Sequence, residues 1–234
     1  MLELLAWGDT GWGDELVRGT LMTLAVAVCS FALGQVFGTL GASAKLNGGI
    51  VTRALAEIYT TVVRGVPELL VIYLLFFGTG NAIMGVASLF GYTGYIEVNA
   101  FTIGTLSVGL ISGAYSTEVI RGAIQAVPFG QIEAGRALGM SRARILFRIL
   151  LPQTLRYALP GLGNVWQLTL KDTALISVTA LAELMRSAQV AAGVTRDPFL
   201  FYAVAAVLYL VLTSISTYAF DRAERHSNRG VRRA

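Results

Sequence analysis

The chain has 234 residues, 55% of them hydrophobic and only 14% charged, with a formal net charge of +4 and a mean hydropathy of +0.65. A soluble domain carries roughly 25% charged residues, so the composition excludes an ordinary surface solvated on all sides. One cysteine excludes an intrachain disulfide, one Cys with one His cannot build a metal centre, and the place of the single His226 in the basic tail argues against a Ser-His-Asp triad.

A helix that crosses a hydrocarbon core of ~30 Å needs about 20 apolar residues. Met1 to Glu15 holds Glu3, Asp9, Asp14 and Glu15 without any Lys or Arg. A cleavable signal needs a positive start, so the first apolar stretch is expected to stay as a span. In chain order the expected spans are residues 19–44, 54–80, 98–120, 157–182 and 198–220. The sequence therefore predicts an all-α membrane protein of about five transmembrane helices. The second span contains Glu57, Arg64 and Glu68, and the fourth contains Lys171 and Asp172. Those charges need partners, a cavity or an interfacial position. Cys29, inside the first span, reads as a buried small apolar residue. The pairs Gly34–Gly38 and Gly109–Gly113 allow close helix approach.

Between spans one and two lie Lys45 and Arg53, and between three and four lie Arg121, Arg136, Arg142, Arg144, Arg148 and Arg156. After span five come Arg222, Arg225, Arg229, Arg232 and Arg233. The opposite side holds Arg18, Arg186 and Arg196. The positive-inside rule puts the N-terminus outside and the C-terminus in the cytoplasm, and an odd number of spans agrees. The connection from Asn81 to Glu97 has no Lys or Arg and suits an external loop or a short surface helix.

The inside segment 127–152 interleaves arginines with Ile132, Leu138, Met140, Ile145, Leu146 and Ile149. It reads as two short amphipathic helices divided by Gly139, which can end a helix with positive φ. Ser141 is a candidate N-cap for the second, and that second helix is expected to stop before Pro152. Such a segment either lies on anionic lipid or fits a groove on a cytoplasmic partner.

Glu133, Ala134, Gly139, Ile149, Leu151 and Pro152 stand at the spacing of the EAA loop, so the segment resembles that of ABC importer permeases. Gly135 replaces the usual third Ala, a change expected to loosen the helix by roughly 1 kcal/mol. Tyr59–Leu70, Gly113–Pro128 and Arg156–Ser177 resemble the polar amino-acid permeases. Within that group they resemble the Q-type subunits for histidine, lysine/arginine/ornithine and the opines octopine and nopaline. The resemblance implies a type I ABC importer transmembrane fold in a bacterial inner membrane. It implies a partner permease, an M-type paralogue or a second copy of this chain. It further implies a pair of cytoplasmic ATPases, an external solute-binding protein and an amino-acid substrate. Glu133, Ala134, Gly139 and Ser141 would then couple to the ATPase.

No G-x-x-x-x-G-K-[ST] loop occurs, and the nearest fragment, Gly38 to Lys45, has Ala before Lys. ATP and Mg are therefore expected on the partner, with no cofactor or metal in this chain, no catalytic residue and no nucleic-acid partner. Intramembrane ionisable groups are candidates for the substrate pathway: Arg64 and Lys171 for a carboxylate, Glu68, Glu118 and Asp172 for a cation. The competing role of each is internal ion pairing. Tyr115 and Trp166 could stack on a cation or simply pack. Glu68 favours basic amino acids or opines, with polar amino acids such as glutamine as the alternative. An ion-coupled secondary transporter is the reading from a different class, and it leaves the EAA-like loop without a purpose.

Overall fold

The computed structural model describes residues 2–8, 11–92, 99–179 and 181–228. Helices dominate these residues, and no strand occurs among them. A 3-10 turn at Leu2–Leu5 precedes α1 (Gly13–Asn47), α2 (Ile50–Gly65), α3 (Glu68–Leu89) and α4 (Ala100–Gln125). Then come α5 (Phe129–Ala137), α6 (Arg142–Ile145), a π-segment (Leu146–Leu150) and α7 (Leu151–Asp172). A 3-10 segment (Thr173–Thr179), α8 (Leu184–Thr195) and α9 (Pro198–Ser227) complete the described chain.

Among the described residues three helices are long and apolar enough to cross a membrane: α1, α3 and α9. Their outward faces carry exposed Val36 and Leu40, Leu74 and Phe77, and Leu210 and Ile215. The expected spans 98–120 and 157–182 fall on α4 and α7, which are long enough but less apolar. For α4 the reason is its position: it packs against α1, α2, α3 and α7. A helix surrounded by protein can use Gly, Ser and Thr in place of lipid-facing Leu, and close backbone approach rewards it.

The α1–α4 seam is the most extensive helix contact. A Cβ placed on Gly38 would lie 2.5 Å from Ser116 Cβ, and one on Gly34 2.8 Å from Ser112 Cβ. From the other helix, a Cβ on Gly113 would lie 2.6 Å from Phe37 Cβ and one on Gly109 2.9 Å from Leu33 Cδ2. Both small-residue pairs are thus in the seam. Gln35 Nε2 donates to Ser116 Oγ at 3.0 Å across it, and Thr169 Oγ1 donates to Ser112 Oγ at 3.0 Å, tying in α7.

Several expectations change. The stretch 54–80 is not one span but α2 and α3, separated at Val66 (ψ 140°) and Pro67 (ψ 132°). Proline disfavours α geometry in the residue before it, which breaks the helix there. The stretch 81–89 is not a loop: α3 runs through it to Leu89. No proline interrupts it, and each glycine costs a helix only about 1 kcal/mol. The rest of that connection, residues 93–98, lies outside the described residues, as does the basic tail 229–234. The span expected at 157–182 begins earlier, at Leu151, and changes to 3-10 geometry after Asp172. Cys29 is not buried but lies exposed on the outer face of α1.

The helix also does not stop at Pro152. Leu151 N–H donates to Leu146 O, five residues back, and this wide turn carries the chain into α7 with Pro152 in its first turn. Proline tolerates that position because its missing N–H is not needed there.

Candidate functional site

The break between α2 and α3 brings most of the candidate pathway residues together. Arg64 sits in the last turn of α2 and Glu68 in the first turn of α3. Each charge complements the dipole of its helix end. Tyr115 of α4 faces the break: its hydroxyl donates to Glu68 Oε1 at 3.1 Å, and the Arg64 guanidinium carbon lies 5.4 Å from its ring centroid. Asp172 ends α7, directly before the 3-10 segment. The 3-10 segment that follows Asp172 packs Ile176 against Val71 and Ile72 of α3 and Val108 and Ile111 of α4. Two helix interruptions therefore share one apolar cluster with Tyr115: Arg64 and Glu68 flank the first, and Asp172 ends the helix at the second. Among the described residues, Arg64, Glu68 and Asp172 form no ion pair within 4 Å. Such half-helix ends are where charged solutes are held in membrane transporters.

The other three pathway candidates lie elsewhere. Lys171 is exposed and opens on a separate cavity bounded by Met185, Tyr202, Tyr209 and Thr213. Trp166 is buried and packs edge-on against Phe31, with centroids 5.4 Å apart, beside Phe220.

Glu118, one turn after Tyr115 on α4, belongs to an ion-pair network with α1 and α2. Lys45, in the last turn of α1, is only 8% exposed. Its Nζ lies 2.5 Å from Glu118 Oε1, 2.5 Å from Glu57 Oε2 and 2.6 Å from Thr60 Oγ1. Arg121 holds the other Glu118 oxygen at 2.7 Å and donates to Gln125 Oε1 at 3.3 Å. The internal-pairing role therefore describes Glu118, and Lys45 is a buried partner rather than a loop charge. Two carboxylates within α2 and α4, Glu57 and Glu118, were visible in the sequence; their common cation was not.

Glu183 is a further residue whose task only the packing reveals. It is fully buried ahead of α8 and accepts from the N–H groups of Met185 at 2.9 Å and Arg186 at 2.6 Å. Tyr209 of α9 donates to it at 3.2 Å and Thr23 of α1 at 3.4 Å. One carboxylate thereby caps α8 and joins three helices.

In the segment 127–152 the division at Gly139 has a defined geometry. Gly139 has φ +71°, Met140 N–H donates to Gly135 O at 3.0 Å and Gly139 N–H to Arg136 O at 2.9 Å. These are the two hydrogen bonds of a Schellman motif, which needs glycine at the left-handed position. Ser141 accepts from Arg144 N–H at 3.4 Å and caps α6. Gly135 is buried: an added Cβ would meet Ile149 Cδ1 at 2.9 Å and Ile145 Cγ1 at 3.3 Å. The missing methyl makes room for the π-segment to pack on α5. Gln153 Nε2 donates to Gln131 Oε1 at 2.6 Å and fastens α5 to α7. Glu133 and Ala134 face outward, and among the described residues Glu133 has no ion pair and caps no helix. Phe129, Leu138 and Phe147 are exposed beside them.

Residues 34–226 match the family model for the binding-protein-dependent transport system inner membrane component. The nopaline transport system permease protein NocQ of Agrobacterium fabrum is 56% identical over 99% of this chain and 98% of its own length. The octopine permease protein OccQ of Rhizobium meliloti is 54% identical over the same shares of the two chains. The histidine/lysine/arginine/ornithine permease protein HisQ of Escherichia coli is 40% identical over 96% of this chain and 98% of its own. Among solved structures, an amino acid ABC transporter crystallised with histidines superimposes with a TM-score of 0.77. It is 31% identical and covers 92% of this chain and 95% of that one. The MetNI methionine ABC transporter, inward-facing, gives a TM-score of 0.71 at 20% identity, over 92% of this chain and 96% of that one; it shares the fold.

Proposed function

The chain belongs to the family of binding-protein-dependent transport system inner membrane components, and on that premise we propose that it is a permease subunit of an ATP-driven importer for basic amino acids or opines. The observation that carries the substrate class is the meeting of Arg64, Glu68 and Tyr115 at the α2–α3 break, with Asp172 at the end of α7 where the following 3-10 segment joins the same apolar cluster. A basic amino acid, with one carboxylate and two cationic groups, complements one guanidinium and two carboxylates. Arg64 would take the carboxylate in a two-pronged grip. Glu68 and Asp172 would take the ammonium groups, and the Tyr115 hydroxyl holds Glu68 in position.

The chain does no chemistry on its substrate; it opens and closes a path. Five crossings, with the N-terminus outside and the C-terminus inside, place segment 127–152 in the cytoplasm of a bacterium, under its inner membrane. There α5 would seat in a partner ATPase, which binds ATP and Mg. Exposed Glu133 and Ala134 would form the contact, and the Gly139 turn and the Ser141 cap would keep α5 rigid. The Gln131–Gln153 bond and the Ile149 contact at Gly135 would pass its displacement to α7, at whose other end Asp172 lies. Closure of the ATPase pair would thus reach the substrate site as a rigid-body movement. A second permease, a paralogue or another copy, and an external solute-binding protein complete the assembly.

Uptake by the reconstituted complex, with arginine, histidine, ornithine, octopine and glutamine as competitors, tests the reading. The cationic solutes and octopine should outcompete glutamine; preference for glutamine over all of them would sink it. Co-purification of an ATPase with the chain tests the assembly.

A further inference from the structure

A cavity of about 1,040 Å³ opens where α1 ends, α2 begins and α4 ends. Lys45, Arg53 and Arg121 line it, with Glu57 and Gln125, and the Gly48–Gly49 backbone closes it. The transport reading leaves it without a role. Lys45 is saturated by Glu57, Glu118 and Thr60, while Arg121 gives three of its five N–H groups to Glu118 and Gln125. Arg53 is exposed and, among the described residues, has no ion pair. Counting Glu118 behind the wall, three cations face two carboxylates, which leaves the cavity net positive. The N-terminus of α2, capped by no side chain, adds to that field.

A second feature adjoins it. Ile50 and Ala54 line the cavity, and the neighbouring stripe of α2 carries Val51, Leu55, Ile58 and Val62, all more than half exposed. The spacing keeps these four on one side of the helix. A positive cavity continuous with an outward apolar stripe matches a molecule with an anionic head and a long apolar tail. A free anion would have no use for the stripe, and an acidic protein segment no use for its length along α2.

We infer that this cavity holds the phosphate of an anionic phospholipid, with an acyl chain lying along α2. Arg53 is the cation left to meet the phosphate, and Arg121 contributes from its exposed edge. Basic pockets between membrane helices on the cytoplasmic side recognise lipid headgroups in this way. The inference rests on the membrane reading of the chain but not on its substrate or its partner.

The test uses the full chain, purified with the subunits it carries, in phosphatidylcholine vesicles doped with spin-labelled phosphatidylglycerol or spin-labelled phosphatidylcholine. The motionally restricted fraction reports lipid held by the protein. Wild type should prefer phosphatidylglycerol. Arg53→Gln should weaken that preference about fivefold, the effect of one cation near a membrane surface, while Arg225→Gln leaves it unchanged. Equal preference in wild type and Arg53→Gln would overturn the proposal. So would loss of the preference on adding inorganic phosphate beyond the loss caused by chloride at the same ionic strength, which would mark a free-phosphate site. A preference seen in the isolated chain but absent from the complex would assign the face to a partner subunit and overturn it as well. A complex that transports but shows no lipid preference refutes the lipid site alone; one that binds the lipid but transports nothing refutes the permease reading alone.

Discussion

Lys45 and Tyr115 represent two ways in which a polar side chain is used inside this bundle. Lys45 is buried and answered by two carboxylates and a hydroxyl, so its removal strands charge. Breaking a buried pair costs about 3–5 kcal/mol. Lys45→Met should sit at the low end, because Arg121 still holds Glu118 and Glu57 is largely exposed. The readout is the thermal unfolding midpoint in detergent, where adding Glu118→Gln should recover part of the loss. Lys171→Met, at an exposed cation with no ion pair among the described residues, should change stability by less than about 0.5 kcal/mol. Tyr115 is different, since its hydroxyl serves Glu68. Tyr115→Phe keeps the ring beneath Arg64 but frees that carboxylate. A hydrogen bond to a charged group is worth about 1.5–3 kcal/mol. The half-saturating concentration for uptake should therefore rise about tenfold, with little change in melting. An unchanged value would remove Glu68 from the substrate contacts.

Among the elements, the α1–α4 seam and the wide turn before α7 carry the most consequence. The seam depends on absent Cβ atoms rather than on attractive side chains. Gly38→Ala places a methyl 2.5 Å from Ser116 Cβ, and overpacking of this kind costs about 1–3 kcal/mol. Gly78→Ala on α3 meets nothing within 4 Å and should stabilise by up to about 1 kcal/mol through helix propensity. Melting of the two variants side by side checks this; equal effects would mean that the seam is not close-packed. The wide turn at Leu146–Leu150 had no local signal. Pro152 suggested a stop, but whether the chain would stop or shift its hydrogen bonding depended on Ile145 and Ile149 packing onto Gly135. Gly135 in turn looked like a weak helix residue; it is a contact residue.

For the molecule as a whole, the charge pattern predicts the direction of insertion. In a Cys29→Ser background, Trp7→Cys should react with an impermeant thiol reagent from outside intact cells. Ser227→Cys should react only after the membrane is opened. The reverse pattern would invert the proposed topology and move α5 away from any cytoplasmic ATPase. The assembly around Tyr115 belongs to this level too. Arg64 and Glu68 are near in sequence, but Tyr115 and Asp172 join them only because α3, α4 and the 3-10 segment after α7 share one apolar cluster.

Composition alone established a helical membrane protein. Hydropathy located α1 and α9, and the spacing from Glu133 to Pro152 identified the loop together with the glycine that turns it. These are legible because they depend on solvent preference or on local backbone geometry, both of which are properties of a residue and its near neighbours. Tertiary structure decided the rest. It chose which carboxylate is neutralised inside the bundle and which faces the helix break, and it separated Trp166 and Lys171 from Tyr115. It also placed Cys29 outside and Gly135 inside. Each of those outcomes depends on which face of one helix meets another. In a bundle whose inner and outer surfaces are both apolar, hydrophobic periodicity does not mark that face, and the seams are found only where small residues and paired charges meet in three dimensions.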